Sequence, residues 1–140
     1  MATGLSEVDT MKTWPDFYLP PIDSVDFPAL KLKDSNNNAL KAIAGNNFKM
    51  YVCGITPYDA THLGHAATYL SFDLINRYLR LSGSKVSFVE NITDIDDPLL
   101  QRANRDKIDW QVLGNAQIDL YTSDMTALRV LPPTNFAKVT

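Results

Sequence analysis

An apolar run, a polar loop and a helical pattern follow one another between residues 48 and 81. This order constrains the fold more than any other feature. Phe48-Lys-Met-Tyr-Val52 reads as a buried strand. Cys53-Gly-Ile-Thr-Pro-Tyr-Asp-Ala-Thr-His62-Leu-Gly-His65 follows as a polar loop. A helix is expected from about Gly64 to Leu81, with Tyr69, Phe72, Leu74, Ile75, Tyr78 and Leu79 on its apolar face and Ser82-Gly83 as its stop. Val86-Ser-Phe-Val89 then reads as a second strand. Strand, helix and strand in this order predict a right-handed βαβ unit with parallel strands. Ligands of such sheets bind at the carboxyl ends of the strands. Cys53 and Asn91 are both expected just past a strand end, so both should line one crevice.

The loop-to-helix junction also has a chemistry. A helix N-terminus offers unpaired N–H groups and about half a positive charge, which suits an anionic phosphate. Gly64 allows close approach to the backbone. His62 and His65, three residues apart, can both face that ligand as hydrogen-bond donors. Taken alone, His-x-Gly-His reads equally as a turn with two surface histidines; the whole junction favours a site.

The remainder of the chain reads as follows. Residues 1–28 are polar and punctuated by Pro15, Pro20 and Pro21, which predicts an extended arm, partly disordered. Residues 29–47 predict a β-hairpin, with Asp34-Ser-Asn-Asn-Asn38 as its turn. Residues 48–140 form the nucleotide-binding part, expected to be incomplete. Pro98 is placed in the first turn of a helix. A further helix is expected from Trp110 to Leu128, and Leu131-Pro-Pro133 breaks it.

Composition narrows the class. With 140 residues, 45% of them hydrophobic and 21% charged, the chain fits one soluble globular domain. A net charge of −3 gives no basic footprint for nucleic acid. A single cysteine excludes an internal disulfide and suits a reducing cytoplasm. No secretory signal is visible, and no apolar run approaches the ~20 residues of a membrane span.

These motifs carry a family resemblance. His62-Leu-Gly-His65 resembles the signature of class I aminoacyl-tRNA synthetases. Met50-Tyr-Val-Cys-Gly54, Tyr58-Asp59 and Asn91-Ile-Thr-Asp-Ile-Asp-Asp97 are similar to cysteinyl-tRNA synthetase and to its paralogue in the mycothiol pathway, the ligases that join L-cysteine to glucosaminyl-inositol. Ile55, Ala67, Pro98 and Trp14-Pro15 resemble the ligase side, and Met11-Lys-Thr-Trp-Pro resembles its start, which makes Met11 a second candidate initiator. The resemblance runs from about Trp14 to Pro133. It implies an α/β fold, the N-terminal half of a Rossmann-like class I synthetase catalytic domain, with helices flanking a parallel sheet preceded by the hairpin.

The implied activity is ATP-dependent formation of cysteinyl-adenylate and its ligation to the amine of glucosaminyl-inositol, with AMP and pyrophosphate released. The resemblance gives His62 and His65 the ATP phosphates, with Mg2+ accompanying ATP. It puts Gly54, Ile55, Thr56, Thr68, Asn91, Ile92 and Thr93 around the cysteinyl-adenylate. Cys53, otherwise readable as a small buried hydrophobe, becomes a zinc ligand, where a soft metal takes the substrate thiolate and discriminates against serine. A tetrahedral site of that kind needs three protein ligands, so the remaining ligands are expected outside this chain. Asp94, Asp96 and Asp97 are read as helix-capping residues in preference to a hard-cation site.

The implied protein is a cytoplasmic monomer without membrane contact. Two other readings remain. One is a segment of cysteinyl-tRNA synthetase, with tRNA as acceptor. The other is a non-catalytic nucleotide-binding module, favoured by the missing zinc ligands and the missing lysine-rich second signature.

Overall fold

The computed structural model describes residues 11–23 and 25–140. Residues 1–10, and the part of the arm expectation that falls on them, lie outside the described residues. The chain builds a two-stranded antiparallel hairpin and a three-stranded parallel sheet. The hairpin pairs β1 (Lys31–Lys33) with β2 (Leu40–Ala42) in the register Lys31↔Ala42. Its turn closes through side chains, because Asp34 accepts from the Asn36 amide at 2.9 Å and Asn37 from the Ala39 amide at 3.1 Å. Asn38 sits at φ 61°, in the left-handed region that asparagine tolerates.

The parallel sheet has the order β3-β4-β5, from β3 (Asn47–Val52), β4 (Lys85–Ile92) and β5 (Asn135–Lys138). Helix α1 (Leu63–Leu81) connects β3 to β4, and α2 (Asp97–Asp106) with α3 (Trp110–Ala127) connects β4 to β5. The βαβ unit expected from sequence is therefore present. Among the described residues, no helix is long and apolar enough to cross a membrane.

Alternation decides which sheet face is covered. Val52, Phe88, Ile92 and Phe136 point into one core with Tyr69 of α1 and Ile118, Tyr121 and Met125 of α3. Both crossovers thus pack on the same face. A smaller cluster of Leu99, Ala103 and Leu113, with Trp110 against it, joins α2 to α3. The opposite sheet face keeps Lys49, Tyr51 and Ser87 exposed.

Three expectations differ from the structure, and two of its features had no counterpart among them. β3 is not a buried strand: only Val52 is buried, because β3 pairs with β4 alone and occupies an edge. β4 runs to Ile92, so Asn91 lies within the strand end rather than past it. On α1, Leu74 is exposed while Asp73 and Asn76 are buried. Asp73 earns that position by accepting from the Leu131 amide at 2.8 Å and pairing with Arg77 at 2.6 Å. The arm is extended and packs against the domain over Met11–Phe17, where Trp14 is buried in the main core and the Met11 amide bonds the Phe136 carbonyl. β5, finally, has no counterpart in the sequence reading.

Candidate functional site

His62 is the N-cap of α1. Its backbone is extended, at φ −133° and ψ 174°, which turns its imidazole back over the first turn. His62 Nδ1 accepts from the Gly64 amide at 3.0 Å, and His65 Nδ1 accepts from the His62 amide at 3.3 Å. The two histidines therefore form a reciprocal capping box, a role usually filled by Ser/Thr and Glu/Gln. Their rings stack at 4.1 Å with 27° between planes. A Cβ on Gly64 would come within 2.9 Å of the His62 ring, so glycine there makes room for the cap.

This geometry fixes the tautomers. A ring nitrogen that accepts a backbone N–H carries no proton, so in each neutral imidazole the proton sits on Nε2. Both rings keep an Nε2–H donor that the cap does not use. Burial, and then the neighbouring His62, hold the His65 pKa below the ordinary histidine value. A protonated ring would lose its cap, so the neutral donor form and the cap support one another.

Ile55, Thr56, Asp59, Thr61, His62 and His65 line a cleft of about 80 Å³ beside this cap. Its outer wall is latched. Arg102 of α2 donates to the Tyr58 carbonyl at 3.0 Å and pairs with Asp59 at 2.9 Å and Asp106 at 2.8 Å. Asp106 is held down to about 2 by Arg105 and then Arg102, so it stays ionised. Thr61 bonds Asp124 of α3, which ties the residue before the cap to the second crossover.

A second group meets at the β3 and β4 ends. Asn91 Oδ1 accepts from the Tyr51 hydroxyl at 2.7 Å and from the Gly54 amide at 3.4 Å, and Asn91 Nδ2 donates to Thr93 Oγ1 at 3.4 Å. The Thr93 amide bonds the Ile55 carbonyl at 3.0 Å, which joins the two groups. Cys53 is exposed here. Tyr69 donates its hydroxyl to the Cys53 carbonyl at 3.3 Å.

Thr68 and Ile92 do not line the cleft beside the cap. Thr68 Oγ1 bonds the Gly64 carbonyl at 3.0 Å, four residues back in its own helix. Ile92 is wholly buried in the core, so its side chain faces away from the crevice. Asp94 and Asp96 act structurally. Asp96 caps α2, and Asp94 accepts from the Val139 and Thr140 amides at 3.1 and 3.2 Å. Among the described residues no group of three or more His, Cys, Asp or Glu could hold a metal ion. Cys53 alone does not make a zinc centre. A larger cleft of about 680 Å³ lies between Met11–Pro15 and α3, away from both groups.

Sequence reasoning missed Tyr51, which holds Asn91, and Glu90, which is 1% exposed. The signal for Glu90 was available, because period-2 alternation puts it on the same face as Val86, Phe88 and Ile92. Its carboxyl accepts from the Tyr121 hydroxyl, and burial pushes its pKa up from 4.5 to about 7. Between those values the folded chain holds a proton that the unfolded chain releases. Its contribution is therefore favourable below about 4.5 and falls as pH rises to about 7. Glu90→Gln keeps an acceptor without the charge. Denaturation of this variant is expected to lose less stability than wild type between pH 4.5 and 8; identical pH profiles would refute the assignment.

A parallel sheet with its candidate cleft at the strand ends, beside a histidine-capped helix, is a Rossmann-like α/β arrangement of the class I synthetase kind. Over residues 39–140 the chain matches the model for the tRNA synthetases class I (C) catalytic domain, and it belongs to that family. It is 57% identical to a Gordonia bronchialis protein named L-cysteine:1D-myo-inositol 2-amino-2-deoxy-alpha-D-glucopyranoside ligase, over 90% of this chain and 30% of that protein. It is 50% identical to the Mycolicibacterium vanbaalenii protein of the same name, over 99% of this chain and 32% of that one. The chain thus spans about a third of the length of these curated relatives. A methionyl-tRNA synthetase from Mycobacterium tuberculosis, solved with methionyl-adenylate, shares the fold at a TM-score of 0.57 and 24% identity, over 61% of this chain and 17% of the other.

Proposed function

We propose that this chain supplies the phosphate-binding junction of an ATP-dependent ligase that activates L-cysteine and joins it to the amine of glucosaminyl-inositol. The observation that carries the reading is the histidine cap, in which both Nδ1 atoms accept backbone amides at a helix N-terminus and leave the Nε2 edges unused by the cap. In the first step a cysteine carboxylate oxygen attacks the α-phosphorus of ATP, and pyrophosphate leaves. Charge accumulates on phosphate oxygens, where fixed donors stabilise the transition state more than the ground state. The acceptor amine then attacks the adenylate carbonyl, loses a proton and releases AMP. Magnesium accompanies ATP in this reading.

Gly54, Ile55, Thr56, Asn91 and Thr93 form the wall for the cysteinyl-adenylate. Cys53 is the one thiolate this chain offers to a zinc site whose other ligands come from outside these residues. The names of the relatives support cysteine and the amino sugar as substrates, which favours this reading over a tRNA acceptor or a module without activity. The proposed setting is a cytoplasmic monomer.

The test is a chimera in which this chain replaces the matching segment of a curated relative. Cysteine-dependent ATP–pyrophosphate exchange, with amide formation on glucosaminyl-inositol, is expected. The 140-residue chain alone is expected to give none. No exchange by a folded chimera would overturn the reading, and transfer to tRNA alone would overturn the acceptor. His65→Ala in that chimera is expected to lower kcat about 100-fold with little change in KM for cysteine, the usual scale for losing one transition-state donor. Equal losses in binding and turnover would contradict the role given to His65.

A further inference from the structure

Two hydrogen bonds, one buried and one part-buried, joined by an aromatic contact, lie beneath the crevice. Glu90 is 1% exposed and makes no salt bridge among the described residues. Its carboxyl accepts from Tyr121, which is itself wholly buried. Tyr121 meets Trp14 edge-on at 5.9 Å and Tyr69 at 5.3 Å, so its ring has little freedom. Tyr69 in turn donates to the Cys53 carbonyl. The Glu90 stem also lies under Gly54, where an added Cβ would stand 3.4 Å from its Cγ.

A core with no other purpose would do better without this carboxyl. Burying an acid without a cation costs stability, and an apolar side chain of similar shape, which offers no acceptor, fills the space at lower cost. The second hydrogen bond ends at the backbone of the residue that begins the crevice. We infer that Glu90 is a positioning residue which, through Tyr121 and Tyr69, fixes the Cys53 carbonyl and so the direction in which the β3 end presents Cys53 and Gly54–Thr56. Its functional meaning rests on the reading of that crevice as the cysteine site. The positioning itself does not, and is measured without activity.

The measurement is amide hydrogen exchange on the 140-residue chain, resolved by residue. Tyr69→Phe removes only a hydroxyl and keeps the packing of the ring. It is expected to speed exchange at Gly54, Ile55 and Thr56 about fivefold, the size of one net hydrogen bond, with Phe88 and Met125 unchanged. Glu90→Leu should do the same, whereas Glu90→Gln, which retains an acceptor for Tyr121, should stay at the wild-type rate. Uniform acceleration across the core would mean a structural role alone and would overturn the inference, as would no change at residues 54–56 in Tyr69→Phe. If Glu90→Leu does not fold, Tyr69→Phe and Glu90→Gln still decide. In the chimera, Tyr69→Phe should raise KM for cysteine more than it lowers kcat. A chimera without wild-type exchange would refute the ligase reading and leave the exchange-rate result standing.

Discussion

Trp14→Ala is expected to destabilise the chain by about 4 kcal/mol, within the range for removing a large buried aromatic. The indole is 4% exposed and touches Tyr121 and Phe136 edge-on, at 5.9 and 5.8 Å. Its Nε1–H donates to the Val130 carbonyl at 2.8 Å, across 116 residues of chain. Alanine would leave both a cavity and an unpaired carbonyl. Small domains hold only about 5–15 kcal/mol in total, so the variant should lose a large share of its folded population. Urea denaturation of the 140-residue chain measures it. A loss below about 1 kcal/mol, less than a typical net hydrogen bond with its packing, would mean that the Met11–Phe17 segment merely rests on the domain.

Gly54→Ala is expected to do comparable damage at the crevice itself. A Cβ there would lie 1.6 Å from the Asn91 carbonyl oxygen and 2.7 Å from its carbon. Both are backbone atoms at the end of a parallel ladder, and they cannot retreat without breaking the pairing of β4 with its neighbours. The cost should therefore exceed the about 1–3 kcal/mol of ordinary overpacking. Thermal unfolding together with exchange at Thr93 gives the readout. Wild-type stability in the variant would show that the two strand ends can separate at little cost and that their approach does not require glycine.

These two positions also show what a sequence reveals. The βαβ unit was legible because each piece is locally consistent: two apolar runs, one long amphipathic helix and a Ser82-Gly83 stop. The hairpin was legible from its turn chemistry. Trp14 was not, because what orders it is contact with residues more than a hundred positions away. β5 was not, since Asn135–Lys138 has one buried apolar side chain and is a strand by virtue of pairing with β4. Asp73 was not legible either, because its burial depends on the Leu131 amide, 58 residues away. At the junction, the residue types were legible and their roles only in part. The spacing of His62 and His65 suggested two donors toward a ligand. It did not reveal that each first spends a nitrogen on capping α1, which decides the nitrogen left to donate. The motif likewise did not announce that Thr68 bonds the Gly64 carbonyl of its own helix or that Ile92 is wholly buried.

The position of Cys53 has a practical consequence for redox behaviour. The chain has one thiol, and it stands exposed at a strand end. Oxidation therefore has no partner within these 140 residues, and between two copies of this segment the disulfide is a covalent dimer joined at the crevice. Two molecules linked in this way would block each other's strand ends until a reductant separated them. Thiol loss, read on a non-reducing gel, should then track loss of access to the crevice one for one.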